Sequence, residues 1–220
     1  MMPLRGAALL AASVSVLALA GCTGEPQPVV TVTVTAEPTT AAEPAPTDTP
    51  AVVSSEPGNL FESGVGYTIT ATQTADESTD AAGNAVSYDA VNIADGDPAT
   101  AWRKSSDDWS GDDYLLVTFD QPVTLTSAGL INGYAKVDKA SGTDRYVQNH
   151  RLCWATFELS DGSEWSIELD TDDRAMQSVP VAGTVEWVRI TDLYYCGTEE
   201  PEATRDFVAI SDVELIGKPA

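Results

Sequence analysis

Period-two alternation is the strongest constraint on what this chain can become. Residues 66–72 are rich in β-branched side chains, and Leu115, Val117 and Phe119 share one face of 114–120. Cys153, Ala155, Phe157 and Leu159 share a face of 152–159, while Trp165, Ile167 and Leu169 alternate with Glu164, Ser166 and Glu168. Residues 185–191 and 207–216 also read as strands. Alternation buries one side of a strand, and no stretch repeats its apolar residues at helical spacing. Gly, Asp, Ser and Pro separate the short runs, which predicts an all-β sandwich. Asp161-Gly162-Ser163 stands between two runs as a hairpin turn. There is no internal repeat of solenoid or propeller length.

Residues 1–58 follow other rules. Arg5 precedes an apolar run over 6–20, too short for a membrane span and suited to an export signal. The run closes with Leu19-Ala20-Gly21-Cys22. Small residues before a cysteine resemble the lipobox of bacterial lipoproteins. The resemblance implies cleavage before Cys22 and diacylation of that cysteine, and two acyl chains anchor a protein stably where one does not. The alternative is a plain signal peptide followed by an unrelated cysteine. Residues 22–58 then carry the lipid and a Thr/Pro/Glu-rich stalk with little to bury, expected to be disordered and extended. No later run is long and apolar enough to span a bilayer. The expected organisation is a signal peptide at 1–21, a lipidated stalk at 22–58 and a folded domain at 59–220. The expected location is the outer face of the cytoplasmic membrane, held in the lipid bilayer through Cys22.

The folded part, about 160 residues, is long enough to bury a real core. Cleavage before Cys22 removes one basic residue and no acid, so the mature charge is 10 − 34 = −24. That charge argues against nucleic acid and anionic lipid surfaces as partners, and it favours cations. It also makes the basic residues conspicuous: Lys136, Lys139, Arg145 and Arg151 fall in one short stretch. With Cys22 lipidated, Cys153 and Cys196 remain as a pair in an oxidising compartment, and a disulfide is the default expectation against two buried thiols.

Catalytic signals are weak. His150 is the only histidine and stands beside Arg151. No Gly-x-Ser-x-Gly elbow and no His- or Cys-rich zinc spacing is present. With 34 acids, carboxylate pairs are too common to mark a hydrolase. The acidic runs at 107–113 and 170–173 read as solvated loops. The segment Asn92-Ile93-Ala94-Asp95-Gly96-Asp97-Pro98-Ala99-Thr100-Ala101-Trp102 is different. Asp95, Asp97 and Thr100 offer hard oxygens on a tight turn, as calcium requires, and Asp212 is a remote acid that can complete a shell. The same run also reads as a capped loop entering a core. No EF-hand spacing is present.

That segment resembles the opening motif of discoidin-like domains, the galactose-binding jelly rolls. Ile131-Asn132-Gly133-Tyr134-Ala135-Lys136, Asn149-His150-Arg151-Leu152, Asp161-Gly162, Val188-Arg189-Ile190 with Leu193-Tyr194, and Ala209-Ile210-Ser211-Asp212-Val213 follow in order. The series is similar to the glycan-binding domain named after the translocation module of bacterial NAD-glycohydrolase toxins, and it covers nearly all of 64–217. Nothing resembles the NAD-cleaving domain. The resemblance implies a discoidin-like jelly-roll β-sandwich that binds carbohydrate without changing it. It also implies a structural calcium (Ca2+) on Asp95, Asp97, Thr100 and Asp212, where Asp212 replaces the family's usual glutamate. Cys153 and Cys196 each stand where the family pattern commonly has lysine.

Tyr134, Lys136, Asn149 and Arg151, supported by Asn132, offer the ring face, amide and cation that a sugar needs. The alternative places Tyr134 in the core and Asn149 and Arg151 in a structural loop. Trp102 reads as a core plug, Trp109 as an exposed stacking residue, and Trp154, Trp165 and Trp187 as packing within strands. The expected partner is a glycan, such as a cell-envelope polysaccharide. The rival readings are a module that binds another envelope protein and, with least support, an acid-pair glycoside hydrolase.

Overall fold

The computed structural model describes residues 56–107, 110–196 and 203–220. Cys22, the stalk at 22–58 up to residue 55, and Trp109 lie outside these residues. Twelve strands and one 3-10 turn, Ala90–Ala94, make up the described regular structure. The strands are β1 (Gly58–Asn59), β2 (Tyr67–Ala71), β3 (Ser78–Thr79), β4 (Ala85–Val86), β5 (Trp102–Ser105) and β6 (Leu115–Asn132). They continue with β7 (Val137–Asp138), β8 (Thr143–Asp144), β9 (Leu152–Leu159), β10 (Glu164–Glu168), β11 (Met176–Tyr195) and β12 (Phe207–Pro219). The all-β expectation holds.

Three long strands build both layers. The first part of β6 pairs β2 and the last part of β11, whose other edge pairs β9 and then β10. The second part of β6 pairs β12 and the first part of β11. One hydrogen-bonded net thus bends into two faces, with β1 and β5 added along β12. Sequence pattern alone ends a strand near Asp120, before Pro122. The strand instead runs on, and Pro122 falls in the register shift between Thr118↔Trp187 and Val123↔Val185. Proline has no N–H to donate, so it fits where the ladder is already broken.

Alternation fills the core as expected. Leu115, Val117, Leu130, Leu152, Phe157, Ile190 and Val208 are fully buried in one cluster. Each such side chain contributes about 1.5–3 kcal/mol against an exposed reference. The hairpin at 161–163 also appears: Gly162 has φ 88 and its N–H reaches the Leu159 carbonyl at 2.9 Å. Trp102 is the expected plug, fully buried with its Nε1 donating to the Gln73 carbonyl at 2.9 Å.

The fold gathers several connections beside the start of β12. β5 pairs Phe207 through Ile210, and the bridges Gly133↔Ile210 and His150↔Val208 bring two more loops to the same place. Gly133 has φ 73, and a Cβ there would meet the Tyr146 ring at 3.0 Å and Arg151 Cγ at 3.1 Å. Only glycine serves at that crossing.

Candidate functional site

Two loop features deserve separate description: the acidic turn at 92–102 and the recess beside it.

The turn is closed by its own polar groups. Asn92 Nδ2 donates to the carbonyls of Ser87 and Ala101, both at 3.0 Å. The Thr100 hydroxyl donates to Asp95 Oδ2 at 2.8 Å and lies 2.9 Å from the Asp97 carbonyl. Asp95 Oδ1 accepts from the Asp97 N–H, and Asp97 Oδ1 from that of Ala99, each at 2.9 Å. Gly96 supplies the positive φ of 69 that the turn needs. Asp212 is partly buried, and burial, with the charges of Asp95, Glu214 and Glu62, pushes its carboxyl up to about 6. Among the described residues no three Asp, Glu, His or Cys side chains form a ready metal cage. Asp95, Thr100 and the Asp97 carbonyl are drawn together by these hydrogen bonds, and their oxygens are of the hard kind that calcium takes.

The recess is lined by Ser78 and Thr79 of β3, Asp80, Tyr88, Arg103 of β5, Tyr134, Lys136, Arg145 and Arg205. Tyr88 and Tyr134 meet edge to face, their centroids 6.2 Å apart. The Tyr88 hydroxyl shares a 2.7 Å hydrogen bond with Ser78. Burial, reinforced by Tyr88, raises the Tyr134 phenol to about 12, so it stays a neutral donor. Arg103 lies over the Tyr88 ring at 3.6 Å and the Phe207 ring at 4.0 Å. A second recess of about 790 Å³ adjoins the first, shares Ser78, Arg103 and Arg205, and reaches Gln73, Asp76 and Phe207.

The structure splits the sugar-site residues read from the sequence. Tyr134 and Lys136 line the recess, but Tyr134 is itself buried in a small cluster with Tyr88, Ala101 and Ala209, as the core alternative expected. Asn132, Asn149 and Arg151 do not line the recess: all three are buried behind it. Asn132 exchanges two 2.8 Å hydrogen bonds with the Leu152 backbone. Asn149 Nδ2 donates to the Arg145 carbonyl at 2.7 Å, and Arg151 Nη1 donates to the Tyr146 and Asn149 carbonyls at 3.1 and 3.3 Å. Irregular backbone that passes under a sheet end needs internal partners, and these side chains supply them. Tyr88, Arg103 and Arg205 also line the recess and carry no motif in the sequence. The available signal was Trp102-Arg103-Lys104, two cations on a strand of an acidic chain.

Trp154 is another correction. Core or inter-strand packing was expected; Trp154 does stand opposite Tyr194 on the neighbouring strand, but it is 46% exposed and Tyr194 55%. The two flank a depression of about 320 Å³ with Thr156, Ser166 and Asp192.

A family model for the NAD glycohydrolase translocation F5/8 type C domain matches residues 66–214. The chain belongs to this family. The F5/8 type C domain thus accounts for the strands and loops described above, in the order the sequence segments suggested. Among solved structures, the chain is similar to the family 32 carbohydrate-binding module of AlyQ in complex with 4,5-unsaturated mannuronic acid, at 16% identity and TM-score 0.46, covering 67% of this chain and 92% of that one. It is also similar to the family 32 module of C. perfringens NanJ in complex with galactose, at 15% identity and TM-score 0.44, covering 68% and 93%. A third similarity is to the mycobacterial arabinofuranosyltransferase AftD, at 19% identity and TM-score 0.48, covering 69% of this chain and 11% of that one. No curated protein matches the sequence.

Proposed function

We propose that this protein is a lipid-anchored, extracytoplasmic carbohydrate-binding module. Its F5/8 type C domain binds a glycan without chemistry, and Cys22 and the segment to residue 58 hold it on the outer face of the cytoplasmic membrane. The observation that carries the binding role is the loop recess, where Tyr88 and Tyr134 stand beside the donors Ser78, Thr79, Arg103 and Lys136. Hydroxyl, guanidinium and ammonium donors that converge on one recess suit the hydroxyls of a sugar. Two features support a role without catalysis. His150 packs against Tyr195 at 4.5 Å, and Cys153 and Cys196 are bonded to each other. The anchor rests on the sequence Leu19-Ala20-Gly21-Cys22.

The test is a broad glycan array probed with the full chain in detergent. Binding to at least one polysaccharide class is expected, and Lys136→Ala should weaken it about tenfold by removing a charged donor. No binding to any envelope or host glycan would sink the reading. A second reading, a protein-interaction module, is favoured by the exposed Trp154–Tyr194 pair. It predicts one stoichiometric protein partner, retained in the presence of free sugars and lost in Trp154→Ala.

We also propose a structural calcium at the acidic turn, held by Asp95, Thr100, the Asp97 carbonyl and Asp212, with Asp97's carboxylate orienting the turn. Its contribution is to fix the loop beside the recess, not to touch the sugar. At calcium about 100-fold above Kd, stabilisation of about 2.7 kcal/mol should raise Tm by about 5–10 °C. A chelator, or Asp95→Ala, should abolish that rise. A melting curve indifferent to calcium counts against the site.

A further inference from the structure

The recess is basic in a strongly acidic protein. The chain has 34 acids against 11 Lys and Arg, yet Arg103, Lys136, Arg145 and Arg205 all line this one depression. Two of those charges have local compensation. Arg145 pairs with Asp138 at 3.1 Å, and the field of Lys136 reaches Asp80. Asp80 is itself engaged by the N–H groups of Ala82 and Asn84 at 2.9 and 2.8 Å and by the Asn84 amide at 3.1 Å.

Arg103 and Arg205 have no ion-pair partner among the described residues. Arg205 is exposed at the margin of both recesses. Arg103 is the unusual one. It is only 4% exposed, and its buried Nε has no hydrogen-bond partner. Its guanidinium carbon lies 3.6 Å from the Tyr88 ring centroid and 4.0 Å from that of Phe207. Burial, with the like charges of Arg205 and Arg145, pushes its pKa below the ordinary arginine value. A guanidinium stays charged even so, and a buried charge without a counter-ion is costly. The two rings offset part of that cost. An anion arriving through the recess would offset the rest.

The shape of the vacant interaction narrows the anion. Two rings pack against the guanidinium carbon, and the N–H donors left to meet a ligand lie in the guanidinium plane. A carboxylate is planar and accepts two parallel N–H bonds in that plane. We propose that the recess selects acidic glycans, Arg103 taking the carboxylate of a uronic-acid residue and Arg205 adding a second positive charge at the margin. The proposal rests on the carbohydrate-binding reading above and adds the class of sugar. Overall negative charge does not forbid it. At about 0.1 M salt the screening length is about 10 Å, so cations inside the recess outweigh acids elsewhere on the surface. Two carboxylates oppose it: Asp80, which lines the same recess and is held by the N–H groups of Ala82 and Asn84, and Asp76 in the adjoining recess, which limits how far a polyanionic chain can run that way.

The experiment measures binding of the full chain to polygalacturonate, alginate and hyaluronate, each beside its carboxyl-reduced form, with dextran sulfate as a further arm. At least one acidic polymer should bind about tenfold or more tightly than its reduced form, and its affinity should fall as salt rises. Arg103→Lys keeps the charge but loses the fork, and should weaken that binding about tenfold while the melting temperature confirms folding. Arg205→Ala, at an exposed position, should weaken it several-fold. Lys218→Ala makes the same charge change at the far end of β12, roughly 35 Å along the strand, and should change nothing. Equal affinity for acidic and reduced polymers, or binding to neutral glycans only, overturns the acidic class and leaves carbohydrate binding intact. Dextran sulfate binding as tightly as any uronate overturns the carboxylate assignment. Binding to none of these, with a blank glycan array, overturns the carbohydrate reading itself.

Discussion

Asp113→Ala should cost about 3–5 kcal/mol of folding stability, because it strands a buried charge. Lys104 on β5 is fully buried and pairs with Asp113, whose side chain is 3% exposed. Asp113 also accepts from the Ser110 N–H at 2.8 Å and the Thr72 hydroxyl at 3.2 Å. The pair therefore ties β5, the end of β2 and the connection into β6. Removing the carboxylate leaves an ammonium in an apolar layer with no compensation. Urea unfolding followed by tryptophan fluorescence measures the loss, and a loss below about 1 kcal/mol would contradict the argument. The double variant Lys104→Met with Asp113→Leu removes both charges and should recover most of the stability, since paired burial is roughly neutral against a packed apolar pair.

Asp113 also sets a pH dependence. Burial pushes its carboxyl up, but Lys104, the Ser110 amide and Thr72 together outweigh burial and hold it below the usual range. A carboxyl with a depressed folded pKa binds fewer protons when folded than when unfolded. Its contribution is therefore complete above the unfolded value, about 3.9, and is lost as pH falls through the lower folded value. In Asp113→Asn the acid limb of the stability profile should flatten below about pH 4 relative to the unchanged protein.

The fold was legible wherever burial has a period. β9 and β10 could be read almost to the residue, because one face of each packs on the core while the other carries Glu164, Ser166 and Glu168. Bends were not legible: Pro122 marks a broken strand by local rules, whereas the ladder shift that accommodates it belongs to the partner strand β11. The site was half legible for a related reason. Tyr134 and Arg151 look alike as polar-tipped residues in neighbouring segments. Only the crossing at Gly133 decides that one lines the recess and the other lies beneath it. Arg103 shows the limit most clearly. It lies between Trp102 and Lys104, all three are buried, and a period-two pattern has no symbol for a cation packed against two rings.

Breaking the bridge between Cys153 and Cys196 should be comparably severe. The two cysteines are bonded, with Cα atoms 5.4 Å apart and a sequence separation of 43. Loop-closure scaling for a loop of that size gives about 4 kcal/mol. Position adds a functional consequence. Cys153 lies on β9 beside Leu152, which is in register with Tyr195, and Cys196 follows directly, so the bridge clamps the end of the β9–β11 ladder. The same end supports the loop before β9, where His150 packs on Tyr195 and its N–H reaches the Phe207 carbonyl at 2.8 Å. That loop also carries Arg145, and its Gln148 carbonyl accepts from the Arg205 N–H at 2.9 Å. Loss of the bridge should therefore loosen the wall holding Arg145 and Arg205 before it unfolds the sandwich. Cys153→Ser with Cys196→Ser should lower the unfolding midpoint by the equivalent of about 2–4 kcal/mol. It should also weaken glycan binding under conditions where tryptophan fluorescence still reports a folded core. Stability unchanged by the double substitution, or by reductant, would show that the β9–β11 ladder holds its end without the bridge.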